Sequence, residues 1–292
     1  MSVKYTFANA VFRLLALLPL KVSRGLGRGL GRLMCVFPNR NHRVATVNLA
    51  LCFPELSDAQ RADLLLERFK TLGSTVMDIP HVWSGDNALS LVTEVQGREI
   101  VDAAVAAGKG TIILAPHLGN WEVVGLYLTE CCDTVKSMYS PPRSETMNQF
   151  ILNARQRTGA KLVPADRSGV IQLLKTLRAG QMVGILPDQV PADESGVFAP
   201  FFDIQAFSMT LMSNLAKKTG ARIVNAYALP NDTGFTVVFN EPDPDIYSDD
   251  LETSVTGMNK TIEVAAQQHK AHYQWEYKRF KRQPEGRASF YD

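Results

Sequence analysis

Between residues 98 and 240 the chain repeats one unit: a helical stretch, a glycine, then a short apolar run. The spacing predicts helices over 98–107, from about Asn120, and over 145–158, 167–179 and 207–219, with Gly108, Gly159, Gly180 and Gly220 as C-terminal stops. Strands are expected at 111–115, near 134–139, and at 160–163, 182–186, 221–229 and 234–240. Apolar runs such as TIILA lack the polar alternation of a half-solvated strand and suit a sheet covered on both faces. This pattern restricts the fold to the α/β class: a central, mostly parallel sheet flanked by helices. In such sheets ligands gather beyond the carboxyl ends of the strands, where loops vary without disturbing the core. Upstream, Ser57 or Asp58 opens an amphipathic stretch in which Leu64, Leu65, Phe69, Leu72 and Met77 recur near helical period, and two helices are expected there.

The N-terminus has a different character. The 292-residue chain carries a net charge of only +2, but the charges are segregated. No acid precedes Glu55, while Lys4, Arg13, Lys21, Arg24, Arg28, Arg32, Arg40 and Arg43 all do. The rest of the chain is therefore net negative. Such an asymmetry implies an anionic surface as partner, nucleic acid or phospholipid, and the apolar content decides for lipid. From Tyr5 to Leu20 the sequence is strongly apolar, but Arg13 and Pro19 interrupt it and it falls short of the ~20 residues that span a bilayer. The expectation is a segment, residues 1–45, that lies on or dips into the membrane, followed by an α/β domain over 46–292. The alternative is a helix packed on the protein's own core. No small-residue cleavage site follows Leu20, so this is not read as a cleaved signal. In SRGLGRGLGRLM, Arg24, Arg28 and Arg32 fall at helical spacing, yet four interleaved glycines disfavour a helix in water, by ~1 kcal/mol each relative to alanine. Tight packing in or against lipid is the expected compensation. Four cysteines, at 35, 52, 131 and 132, have neither zinc-site spacing nor the look of a disulfide framework, which suits a reducing compartment.

Directly after TIILA comes APHLGNWEVV, which sets His117 five residues before Glu122. On one continuous helix those positions would lie about 140° apart. A bend at Gly119, with Asn120 capping the next helix, would let Glu122 fold back to the imidazole, fix its tautomer and raise the basicity of the other ring nitrogen. A histidine held in that way can take a proton from a hydroxyl as its oxygen attacks an acyl carbonyl, with no enzyme nucleophile needed. By itself the pattern fits a structural histidine beside a helix cap better.

Three segments in this order are far more specific: HLGNWE after an apolar strand, GILPDQVPADESGVFAPFF at 184–202, and HYQWEYKRFKRQPEG from His272. Together they closely resemble the bacterial lipid A acyltransferases, the lauroyl and myristoyl transferases of late lipopolysaccharide synthesis, within the wider lysophospholipid acyltransferase superfamily. The resemblance covers essentially the whole chain. It implies an enzyme on the cytoplasmic face of the inner membrane that moves a fatty acyl group from acyl carrier protein to a hydroxyl of a Kdo-bearing lipid A precursor. The hydroxyl is expected on an already attached 3-hydroxyacyl chain. In that likeness His117 matches the general base and Glu122 its orienting carboxylate, while Asp188 and Gln189 match an acidic motif that shapes the site. Asn120 is placed among the substrate-binding residues.

The likeness is incomplete. Where relatives commonly carry Tyr-Arg-Pro, this chain reads Tyr139, Ser140, Pro141, Pro142, Arg143, so Arg143 would reach the oxyanion from another angle. Arg155, Arg157 and Arg167 are further cations near strand ends, suited to acceptor phosphate or to the carrier's phosphopantetheine through forked hydrogen bonds, or simply to solvent. Tyr277 and Lys278 stand where relatives often have histidine and arginine. His269 and His272 raise a metal question, but a zinc site needs a third ligand, and a final amphipathic helix is expected instead. On it Trp275 and Phe280 would pack inward, while Lys278, Arg279, Lys281 and Arg282 face acidic partners. GVFAPFF should line an acyl pocket, dip into lipid or close the core, since three phenylalanines left in water would forfeit several kcal/mol at ~25 cal/mol per Å².

The sequence thus points to a membrane-associated O-acyltransferase working through a ternary complex, with no metal and no tightly bound cofactor beyond acyl carrier protein as donor substrate, and with no nucleic-acid partner. Rival readings are transfer to a lysophospholipid or amino-acid lipid, a membrane accessory protein that has lost catalysis, and a metal-dependent hydrolase using His117, Glu122 and His269.

Overall fold

A computed structural model describes residues 3–37, 39–84, 88–131, 134–142, 144–157 and 159–291; the side chains of 3–8, 84, 130, 131, 154, 156 and 157 lie outside it. Ten α-helices and nine strands are described: α1 (Val3–Ala16), α2 (Leu20–Val36), α3 (Arg40–Cys52), α4 (Asp58–Ser84), β1 (Val92–Gln96), α5 (Arg98–Ala106), β2 (Thr111–Leu114) and α6 (Trp121–Cys131). They continue with β3 (Val135–Tyr139), α7 (Glu145–Arg157), β4 (Lys161–Pro164), α8 (Arg167–Arg178), β5 (Met182–Ile185), β6 (Gly196–Phe201) and β7 (Ile204–Met209). The last are α9 (Leu211–Thr219), β8 (Arg222–Pro230), β9 (Phe235–Asn240) and α10 (Leu251–Gln268).

Seven strands form one sheet in the order β1-β9-β8-β2-β5-β3-β4. Every neighbouring pair is parallel except the β8–β9 hairpin. Successive residues of the central strands enter opposite cores. Ile112 and Leu114 of β2, Val183 and Ile185 of β5, and Ile223 of β8 join one cluster. Ile113, Met182 and Val224 join the other. A strand buried on both faces has no polar positions to alternate, which is why these runs read as continuously apolar.

The first core is closed by α3, α8, α9, α10 and the C-terminal segment, the second by α5, α6 and the end of α4. A buried ion pair, Arg68 to Glu276 at 2.6 Å, ties α4 to the C-terminal segment. Asn48 of α3 does the same through its amide, which donates to the carbonyls of Trp275 and Tyr277 at 2.6 and 2.8 Å.

Several expectations are corrected. The stretch from Ser57 is one 27-residue helix, α4, carrying Pro80 near its end, not two. Its start is a reciprocal cap: Ser57 Oγ accepts from Gln60 N and Gln60 Oε1 from Ser57 N. Helix 207–219 begins only at Leu211, because Ile204–Met209 pair in register with Gly196–Phe201 as a hairpin. At its turn Phe202 and Asp203 both adopt left-handed φ, 51° and 58°, which matches the twist of a two-residue hairpin. Phe202 is held there by edge contacts to Phe53 and Trp275. GVFAPFF therefore closes the core, with Ala199 and Phe201 fully buried. The glycine-rich segment is helical, as α2, because Gly27 and Gly31 let it pack closely against α4. Beyond α10 and one 3₁₀ turn at 270–272, the described residues form no final helix. Trp275 and Phe280 do pack inward, but so does Arg279, 3% exposed and bonded to the Phe207 carbonyl and Ser208 Oγ. No helix among the described residues is long and apolar enough to cross a membrane.

Candidate functional site

The site is built on the two middle strands. β2 and β5 run parallel with Leu114 opposite Ile185. Three residues beyond each strand end stand His117 and Asp188, so the register of the sheet itself delivers them to one another. Asp188 Oδ1 accepts from His117 Nδ1 at 2.7 Å, and its Oδ2 accepts from the His117 backbone N–H at 2.8 Å. One buried carboxylate thus fixes both the ring and the turn that carries it. Burial works to raise the Asp188 pKa, but the facing imidazole and the hydrogen bonds outweigh it and hold the carboxyl below its ordinary value.

The loop between β2 and α6 is stitched to distant chain by its backbone. Gly119 N donates to His272 O, Asn120 N to Ala228 O, and Gln274 N to His117 O. Gly119 has φ of 63°, and a Cβ there would come within 2.0 Å of the Ala228 carbonyl oxygen. The bend expected at this residue is therefore present, but it does not turn Glu122 toward the histidine. Glu122 faces Arg155 of α7, which donates from Nε to Oε2 at 3.0 Å and from its terminal nitrogen to Oε1. The carboxylate on the imidazole is Asp188, and Glu122 is committed to a forked ion pair with Arg155.

With Nδ1 donating to Asp188, the Nε2 lone pair of His117 points outward. There Gln189 Nε2 donates to it at 3.2 Å and is shared with Gln274 Oε1 at the same distance. The Trp121 ring meets the imidazole edge-on, 4.7 Å between centroids. Tyr277 fixes the following residue by accepting from Val190 N at 2.9 Å.

His117, Asn120, Glu122, Arg155 and Gln189 share the wall of one cavity of about 560 Å³. Beyond these polar groups the wall is mainly apolar, including Ile79, Val82, Leu126, Leu128, Ile151 and Leu186. The Asn120 side chain does not cap α6. The residue lines the cavity, but its amide nitrogen is buried and has no hydrogen-bond partner among the described residues.

Of the remaining sequence candidates, Arg167 is exposed at the start of α8 and lies away from the cavity lining. Arg143, and the side chain of Arg157, lie outside the described residues. Among the described residues no group of three or more histidine, cysteine, aspartate or glutamate side chains gathers to hold a metal. Gln274 and the backbone of His272 escaped sequence reasoning as parts of the site. Their signal was the apolar-polar alternation around Tyr273, which bridges Leu118 as an isolated strand pair.

A histidine with a fixed tautomer on the wall of a mainly apolar cavity suits proton transfer beside an apolar substrate. Comparison with known proteins bears on whose chemistry this is. Residues 2–282 match the family described as bacterial lipid A biosynthesis acyltransferase. The chain belongs to that family. Among its relatives, the lipid A biosynthesis lauroyltransferase of Escherichia coli K12 is 29% identical over 285 residues, 96% of this chain and 92% of its own. The palmitoleoyltransferase of the same organism is 26% identical, covering 98% and 93%. Its myristoyltransferase is 24% identical, covering 91% and 82%.

Proposed function

We propose that this protein transfers a fatty acyl chain from acyl carrier protein to a hydroxyl of a Kdo-bearing lipid A precursor, at the cytoplasmic face of the inner membrane. The observation that carries the reading is the placement of His117: one ring nitrogen fixed by Asp188, the other meeting only the Gln189 amide, on the wall of the mainly apolar cavity. The acyl chain enters the cavity with its thioester carbonyl at the polar end. The acceptor hydroxyl replaces the Gln189 amide at His117 Nε2. As its oxygen bonds to the carbonyl carbon, its proton passes to Nε2, and Asp188 stabilises the resulting imidazolium. The tetrahedral oxyanion takes hydrogen bonds from the displaced Gln189 amide and, once the chain is seated, from the unpartnered Asn120 amide nitrogen. Collapse breaks the carbon–sulfur bond, and the departing thiolate takes the proton from His117. Glu122 and Arg155 neutralise one another in the wall and keep that edge of the cavity closed and polar.

The test is acyl transfer in detergent, with purified protein, a panel of acyl carrier protein thioesters and a tetra-acylated Kdo-bearing precursor, read by the acceptor's mass. A gain of one acyl chain that disappears in His117→Ala is expected. Folded protein that acylates no such acceptor from any donor, but does acylate a lysophospholipid, would replace this reading with that one.

A further inference from the structure

The C-terminal segment meets the His117–Asp188 pair at two places. Gln274 holds the loop, donating from its backbone N–H to the His117 carbonyl at 3.0 Å, and its side chain shares the Gln189 amide with the imidazole. Further along, Arg279 stands on the wall of a second cavity, of about 10 Å³, which Asp188, Tyr273, Tyr277 and Phe201 also line. That volume is room for about one water. Asp188 and Arg279 are each 3% exposed, so a buried carboxylate and a buried guanidinium share one small space.

Arg279 is held there by neutral partners. Its terminal nitrogens donate to the Phe207 carbonyl at 2.9 Å, to Ser208 Oγ at 2.5 Å and to Asn259 Oδ1 of α10 at 3.3 Å. Its Nε has no partner among the described residues. The Phe201 ring lies 5.2 Å from the guanidinium carbon. None of these contacts cancels a unit of charge, and a buried cation persists only where another charge answers it. Burial lowers the Arg279 pKa, and the Tyr273, Tyr277 and Tyr291 hydroxyls and Asp188 act against that. Phenols ordinarily carry no charge near neutral pH, which leaves the carboxylate.

The other titratable groups around the pair are neutral or engaged. Burial pushes up the Cys52 thiol and the Tyr273 and Tyr291 hydroxyls. Glu263 of α10, also raised by burial, accepts from Phe202 N. Glu276 pairs with Arg68, Asp193 with Arg282 and Glu122 with Arg155. Lys278 and Lys281 lie over the Tyr291 and Tyr277 rings.

We infer that Arg279 is a positioning residue for the reaction: its buried charge, at the small cavity it shares with Asp188, is the counter-ion that keeps this carboxylate ionised and the His117 ring unprotonated at rest. A carboxylate with no other cation beside it would favour the imidazolium, and a ring protonated on both nitrogens cannot take a proton from a hydroxyl. With a second cation on the same carboxylate, the imidazolium forms when the hydroxyl attacks and is not the resting state. The use of that base rests on the acyltransferase reading; the charge coupling does not.

The experiment titrates the His117 ring by NMR in the full-length protein and follows kcat/KM for acyl transfer in detergent against pH. The parent is compared with Arg279→Gln, Arg279→Lys and Asn259→Asp, and the His117 resonance is identified by its loss in His117→Gln. Removing a positive charge raises the pH at which either member of the pair takes a proton. In Arg279→Gln the ring midpoint and the acidic limb of the profile should both move up by about one pH unit, so the rate below the limb falls about tenfold and recovers at high pH. Asn259→Asp keeps the arginine but sets a carboxylate on its fork, and should move both in the same direction even if Arg279→Gln does not fold. Arg279→Lys keeps the charge, loses the fork and should stay near the parent midpoint. A limb that stays in place while kcat falls at every pH, or a lysine variant that shifts as far as the glutamine one, would make Arg279 a structural residue only and overturn the inference. A ring midpoint that shifts as expected in protein that transfers no acyl chain would support the coupling and remove the acyltransferase reading.

Discussion

Asp188 sits 71 residues from the histidine it holds, and both of its oxygens are spent on His117. An amide in its place accepts with one atom only, so Asp188→Asn must leave either the ring N–H or the backbone N–H without its acceptor. Loss of tautomer control predicts a fall in kcat of roughly 10³–10⁴-fold with KM little changed. Steady-state kinetics on folded variant protein check this, and a variant within tenfold of the parent would mean that something else orients the ring. Glu122 is readable in sequence as the partner because it is five residues away, and proximity is the only cue a short motif offers. What turns it aside is Arg155, whose guanidinium fork fits a carboxylate better than a single imidazole nitrogen can. Gln189 and Gln274 illustrate the same limit from the other side, since both stand in recognisable segments yet only the fold brings them together beside the imidazole.

At the scale of the element, α2 shows how packing overrides propensity. Two of its glycines, Gly27 and Gly31, are the contact with α4, while Gly25 and Gly29 face open space. Equivalent substitutions should therefore have opposite signs. Gly31→Ala puts a methyl within 2.0 Å of the Phe69 carbonyl oxygen and is expected to cost about 1–3 kcal/mol through forced separation of the helices. Gly29→Ala should stabilise by about 0.5–1 kcal/mol, through reduced freedom of the unfolded chain. Chemical denaturation of the pair measures both; equal effects would mean that α2 is not seated as described. Another glycine, Gly125 of α6, lines the cavity with nothing within 4 Å of where its Cβ would lie. Gly125→Leu fills that space, so the preferred donor should shift to a shorter acyl chain while the rate with that shorter donor holds. A panel of thioesters of graded length reads the shift, and an unchanged preference would place the chain elsewhere in the cavity.

Across the whole molecule, two buried groups give the stability opposite dependences on pH. His272 is pushed down to about 4 by burial, with Arg68 and His269 adding to it, and its Nδ1 has no partner. The unfolded chain takes that proton near the ordinary histidine value, the folded chain only near 4, so this group erodes stability as pH falls through the window between them. Asp78 is raised by burial to about 6 despite Arg24. Here the folded state holds the proton more tightly, so stability falls as pH rises from the ordinary aspartate range toward 6. In the parent the two contributions oppose one another. His272→Gln is expected to melt at a lower temperature as pH rises from 4 to 6, and Asp78→Asn at a higher one. Parallel slopes in the two variants would refute the assignment.

Most of the order of helices and strands between α5 and β9, the class of the sheet, the place of His117 beyond a buried strand and the cationic apolar character of the N-terminus follow from sequence. Each is written in periodicity, turn glycines or charge within a window of five to twenty residues. Sequence also misplaced the start of α9, because the alternating β-hairpin run before it was read into the helix. Tertiary structure alone decided that Asp188 and not Glu122 faces the imidazole, that Arg279 is buried and that GVFAPFF closes a core. It also decided that a glycine-rich segment forms a helix with one face against α4 and the other exposed. Those outcomes depend on strand register and on which surfaces meet across tens or hundreds of residues, and no local pattern encodes the distance between two groups that only the folded sheet brings together.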